Sequence, residues 1–184
     1  MDTADILVEL AKHPNINKLC FCKIDFSKDE ECPGDEVSML IFHRRNNNYI
    51  YVETNRVEKT TIIDLSRDDY VFNSQVLLTD GAIAHLPLMD FNICVSEDGL
   101  TKVSKVLSLL GVKHGYLMDS GSSYHFIGSE PMTTDEHLTF LYRALLFAPI
   151  TDGRWIAHQL INGNSNLRIG EKNGVSPQLI CKIG

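Results

Sequence analysis

Three short stretches of this chain place side chains able to do chemistry at the ends of apolar runs. Leu86-Pro-Leu-Met-Asp90-Phe-Asn92-Ile carries an acid and an amide two residues apart. Asp119-Ser-Gly-Ser-Ser-Tyr-His125-Phe sets a serine-rich turn before a histidine, and Asp152-Gly-Arg-Trp155-Ile-Ala-His158 runs on to Leu167-Arg168-Ile169. Ends of strands are where open α/β sheets build their sites. The chemistry these residue types suit is phosphate handling with a divalent metal. Hard oxygens at i and i+2 of a strand, with a third acid from a neighbouring element, can hold such ions. A histidine facing a triphosphate can donate to its oxygens, and an arginine can neutralise further charge.

The elements that must position these groups are legible in the periodicity. Ile83–Ile93 is a predominantly apolar run, so Asp90 and Asn92 project on one face of a strand. Ser96-Glu-Asp-Gly99 starts a helix whose Leu100, Val103, Val106, Leu107 and Leu110 fall on one face, and Gly111 ends it. A strand over Tyr116–Met118 follows, and the lengths predict a right-handed βαβ crossover with the two strands parallel and close in the sheet. Gly121 permits a backbone conformation other residues resist, and Ser120 and Ser123 offer hydroxyls beside amides that can hold a phosphate. His125 then lies on a strand returning across the face that bears Asp90.

Thr133-x-x-Glu136 is a capping box for a helix running to about Phe147, with His137 on its surface. Asp152 caps a second short helix, with Trp155, Ile156 and Leu160 packed inward and His158 beside them; Asn162-Gly163 ends it. Leu167–Ile169 and Gln178–Ile183 read as strands with a turn at Asn173-Gly174. Before residue 83 the pattern predicts an opening helix over 2–12 and strands over Leu19–Phe26, Val37–His43 and Tyr49–Glu53, with a hairpin at Asn46–Asn48 that places Arg44 and Arg45 at its tip. Further strand-like runs are Thr60–Leu65 and Gln75–Leu78.

The 184 residues, 43% hydrophobic, suffice for a full core, and no repeat or long linker divides them. One domain over 1–184 is expected, with 1–82 as an α/β lead-in and 83–184 as the motif-bearing core. The fold class is α/β (α+β), a mixed sheet with a βαβ unit and flanking helices. No apolar run reaches the length of a membrane span and the first residues lack a basic signal region, so a cytoplasmic protein is expected. The net charge of −7 argues against a broad basic surface for nucleic-acid backbone, although a local strip around His43-Arg44-Arg45, Arg154 and Arg168 survives. The acidic stretch Ser27–Glu36 reads as a solvated loop. Cys20, Cys22 and Cys32 fit no usual zinc spacing and read as small buried side chains.

In order and spacing these motifs resemble the archaeo-eukaryotic primase, or primase-polymerase, superfamily, whose pattern is Asp-x-Asp or Asp-x-Glu at a strand end, a helix, a Ser-x-His strand and a later lone Asp. Asp90-x-Asn92, Ser123-Tyr-His125 and Asp152 fall at these places, and Leu167-Arg168-Ile169-Gly170 with Lys172 and Pro177 looks like the closing strand and loop. The resemblance covers roughly residues 83–183. It implies catalytic Asp90 and Asp152, metal ligands Asp90, Asn92 and Asp152, and nucleotide contacts Ser120, Ser123, His125 and Arg168. It implies Mg²⁺ or Mn²⁺ as cofactor, nucleotide or nucleic acid as partner, and a place in DNA replication or repair. The sequence departs from the pattern at Asn92, where a neutral amide replaces the second carboxylate.

The expected function is therefore a nucleotidyltransferase-like domain that binds nucleotide, metal and nucleic acid. The alternative is a non-catalytic nucleotide- or protein-binding module on the same fold, which Asn92 and the acidic charge favour. Each residue also has a plain structural reading: Asp90 as a strand-end turn residue, Asn92 as simply structural, His125 as a satisfied core histidine, Asp152 as a helix cap, Arg168 as an ion-pair partner. A hydrolase fits less well, since Ser123 and His125 are not on a nucleophile elbow. A P-loop is absent.

Overall fold

The computed structural model describes residues 1–24, 48–172 and 174–184. Val37–His43, Asn46 and Asn47 of the expected hairpin, Arg44, Arg45, the Ser27–Glu36 loop and Cys32 lie outside the described residues. Among the described residues, five helices and two antiparallel sheets form an α+β fold.

The chain opens with α1 (Thr3–Leu10), capped by a reciprocal Asp2–Asp5 box. It continues through β1 (Ile16–Lys23), β2 (Tyr49–Glu53), a single 3₁₀ turn, α2 (Lys59–Arg67), β3 (Tyr70–Leu78) and β4 (Ile83–His85). These strands form the first sheet in the order β2-β1-β3-β4, and β8 (Asn166–Leu167) also pairs with β3. The second sheet contains β5 (Leu88–Asp90), β6 (Gly115–Asp119), β7 (Tyr124–Gly128) and β9 (Gln178–Ile183) in the order β5-β7-β6-β9. The remaining helices are α3 (Glu97–Leu109), α4 (Thr134–Leu145) and α5 (Gly153–Asn162).

The apolar run at 83–93 is not one strand. Pro87 has no N–H to give a ladder, so β4 stops short of it and the chain crosses to the second sheet as β5. The strands flanking α3 run in the same direction, as the crossover requires, but they are not neighbours. β7 pairs antiparallel with both and lies between them. The tight Ser120–Ser123 turn returns the chain straight into the gap the helix connection left open.

The second sheet is buried on both faces, and side-chain alternation assigns them. Leu88, Tyr116, Met118 and Ile127 join α1, α2 and the first sheet in one core. Met89, Leu117, Tyr124 and Phe126 join α3, α4 and Ile156 of α5 in the other. His125 alternates with Tyr124 and Phe126, so it shares the face of Ile127, between the two sheets.

Several expected elements change on contact with the rest of the molecule. Thr60–Leu65 lies within α2, because Ile62 is fully buried and Leu65 packs beside it at helical spacing; nonlocal packing overrides the β-propensity of Thr60-Thr61-Ile62-Ile63. The strand expected over Leu167–Ile169 is only Asn166–Leu167. His137 is not at the surface: it is fully buried, and its ring stacks on His85 with centroids 4.4 Å apart and planes 12° apart. Cys20 and Cys22 are buried in β1, and burial pushes their thiols up to about 12 and about 11, so they are neutral packing groups. No described helix is long and apolar enough to cross a membrane.

Candidate functional site

Asp90 ends β5, and His125 is its direct partner on β7. Both side chains point into the space between the sheets, and β8 with the residues after it closes one side. A cavity of about 450 Å³ results, whose lining includes Asp90, Ser123, His125, Trp155, Arg168 and Lys172.

The turn joining β6 to β7 is built by its own side chains. Ser120 N–H donates to the Ser123 carbonyl at 2.9 Å, and the Ser120 hydroxyl donates to the same oxygen at 3.1 Å. Asp119 Oδ1 accepts from Gly121 N–H at 2.7 Å. Gly121 has φ +105°, and a Cβ there would come within 3.0 Å of Val175 Cγ1, so only glycine lets the turn lie against the closing loop. The Ser120 hydroxyl is thus spent on the turn. Ser122 and Ser123 line the cavity with more of their surface free.

Arg168 is held by backbone. Its Nη1 donates to the carbonyls of Gly170 at 2.9 Å and Val175 at 3.1 Å, and its Nη2 donates to the carbonyl of Ser120. One guanidinium therefore ties the β6–β7 turn to the closing loop, and the fork geometry of arginine is what allows three acceptors at once.

Asp152 reaches the site from the helical side. Its N–H donates to the Asp90 carbonyl at 3.1 Å, and its Oδ1 accepts from Trp155 N–H at 2.9 Å as the N-cap of α5. The structural reading of Asp152 as a cap holds, and the same residue lies beside Asp90. Asn92 is placed differently. The strand has ended at Asp90, Asn92 N–H bonds Ile150, and the Asn92 side chain is exposed and outside the cavity lining.

Burial raises the Asp90 carboxyl to about 7, and the neighbouring charge of Asp152 adds to this; Arg168, Lys172 and the Phe91 N–H act the other way. Burial, followed by the positive charges of Arg168 and Lys172, pulls the His125 imidazole down to about 3. His125 Nε2 lies 3.6 Å from Asp90 Oδ1. At neutral pH the imidazole is uncharged and the carboxyl is poised between its two forms. The cavity thus gathers a carboxyl, two cations and a neutral imidazole, with a second acid, Asp152, next to Asp90. That combination suits a ligand carrying both a cation and phosphate oxygens.

The sequence of residues 52–180 matches the AEP-like family, described as archaeo-eukaryotic primase 1D-like. That is 129 of the 184 residues. The chain belongs to this family. The match begins within β2, so the primase-like region takes in most of the first sheet as well as the motif-bearing part from residue 83. No curated protein and no solved structure matches the chain.

For this primase-like chain, the cavity brings together Asp90, Ser120, Ser123, His125 and Arg168; Asp152 lies next to Asp90 outside the lining, and Asn92 is outside as well. The lining also includes Lys172, Trp155 and Asn166, which the motifs do not single out as site residues. Lys172 has a signal in the sequence, a second cation four residues after Arg168. Trp155 reads from sequence as a packing residue, and Asn166 has no pattern that separates a cavity wall from a strand end.

Proposed function

We propose that this primase-like domain binds a nucleoside triphosphate together with one divalent cation in the Asp90–His125 cavity. The observation that carries the reading is the meeting of Asp90 with Arg168 and Lys172 around His125 in one pocket, with Asp152 next to Asp90 at its edge. Mg²⁺ or Mn²⁺ commonly takes one or two carboxylates and completes its shell with phosphate oxygens and water. Asp90, with Asp152 next to it, would hold one such ion; with the Asn92 side chain exposed and outside the lining, the acids do not fit a two-ion centre. When bound, the ion would supply charge neutralisation to the phosphates. Asp90 would give up its proton as a ligand, Asp152 would keep its cap while offering a second oxygen, and neutral His125 would donate to phosphate. Lys172 and the Ser122 and Ser123 hydroxyls provide further contacts, and Arg168 holds the turn and contributes positive charge.

The fuller activity is nucleotidyl transfer on a nucleic-acid end, in replication or repair. A second reading, binding without turnover, is favoured by the neutral and exposed Asn92. A cytoplasmic setting fits the free thiols of Cys20, Cys22, Cys94 and Cys181. Isothermal titration of ATP with Mn²⁺ into wild type, Asp90→Ala and His125→Ala tests the site: metal-dependent binding in wild type, weakened at least tenfold in both folded variants, is expected. A folded wild type that takes up no nucleotide overturns the proposal. A primer-synthesis assay then separates the two readings.

A further inference from the structure

Trp155 occupies an odd place for a packing residue. It touches both hydrophobic cores, yet it is only half buried, and part of its surface forms a wall of the cavity. A closed cycle of hydrogen bonds holds it there. Its indole Nε1–H donates to the Asn166 carbonyl at 3.1 Å, Asn166 N–H donates to Gln159 Oε1 at 3.0 Å, and Gln159 Nε2–H donates to the Trp155 carbonyl at 3.1 Å. Its own N–H is bound by Asp152. The ring is thus fixed in orientation and anchored to a residue of the acid pair.

The other cavity groups named above are acids, cations, hydroxyls and an imidazole, all suited to ion and phosphate. Trp155 is the large aromatic surface among the lining residues, and a preordered ring loses little freedom when a flat partner covers it. We propose that the base of the bound nucleotide stacks on Trp155, so that the site takes nucleotides in preference to bare polyphosphate. This rests on the nucleotide reading above and names the residue that recognises the base. Stacking tolerates every base, because each has a π-face, so the selectivity is for a base and not for its identity.

Trp155 is the single tryptophan of the chain, so its emission reports directly on this contact. The experiment titrates ATP, and separately inorganic tripolyphosphate, with Mg²⁺, reading tryptophan emission and, by calorimetry, affinity. Saturable quenching by ATP but not by tripolyphosphate is expected. Trp155→Phe should bind ATP within about threefold of wild type, whereas Trp155→Leu should bind it about tenfold more weakly with tripolyphosphate affinity unchanged. ATP binding that leaves emission unaltered, with Trp155→Leu equal to wild type, overturns the stacking and leaves the phosphate site standing. Failure of both ligands to bind overturns the nucleotide reading and this inference with it.

Discussion

Asp90 and His125 are cross-strand partners in the second sheet, and their side chains approach to 3.6 Å while the carboxyl is raised and the imidazole lowered. Burial is the largest cause of both shifts, so the two groups are less charged together than either would be in water. Near neutral pH the carboxyl lies between its two forms beside an uncharged imidazole, and this makes the site measurable without an assay of activity.

The Asp90 carboxyl titrates at about 7 in the folded chain against a model-compound value of 3.8. Between those values the folded state holds a proton that the unfolded state has lost, so this group's contribution to stability falls as pH rises from about 4 to about 7. Asp90→Asn removes the penalty. The ligand-free variant should be more stable than wild type at pH 7.5, on the order of 2 kcal/mol, and the difference should shrink towards pH 4.5. Urea denaturation of both proteins at the two pH values checks this; an equal difference at both would refute it.

Arg168 bonds three carbonyls from two loops, so its loss removes a donor from the partly buried Gly170 and Ser120 carbonyls, while Val175 keeps the Lys172 N–H. Arg168→Ala should cost about 2 kcal/mol. Arg168→Lys should recover less than half of that, since a single ammonium cannot reproduce the fork. Chemical denaturation gives both numbers, and full recovery by lysine would show that charge alone matters here.

The stacked pair His85–His137 resists protonation. Burial holds the two rings down to about 4 and about 3, and His85 adds to the shift of His137. Unfolded histidines gain a proton near pH 6.5, so the stability these rings contribute is complete above that pH and is lost as pH falls towards 4. Ser74 Oγ lies 3.0 Å from His85 Nδ1 and Ser165 Oγ 3.2 Å from His137 Nε2, which bind the rings to β3 and to the residue before β8. His137→Phe keeps the stack and removes one titration. Its melting temperature should drop less between pH 7 and pH 5 than that of wild type, and an identical drop would count against the assignment.

Asn92 tests how far the site extends. Its side chain is exposed and lies outside the cavity lining, so a new carboxylate there acts only through screened solvent. Asn92→Asp should change Mn²⁺ affinity by less than about threefold in calorimetry. A tenfold gain would place residue 92 in direct contact with the ion.

Much of the local structure follows from a few neighbouring residues. Asp2, Thr133-Glu136 and Asp152 cap the helices the sequence marks for them, Gly111 and Gly163 stand at φ +82° and +72° where helices end, and β9 spans Gln178–Ile183 as expected. These signals act over three or four residues of backbone, so sequence alone is enough. The order of Asp90, His125, Asp152 and Arg168 likewise carried the family. The remaining features are nonlocal. The insertion of β7 between β5 and β6, the change of sheet at Pro87, the helical state of 59–67, the burial of His137 and the turn-clamping role of Arg168 depend on partners dozens of residues away. Pairing and desolvation come from the assembled surfaces, and neither is encoded in the spacing of any one segment.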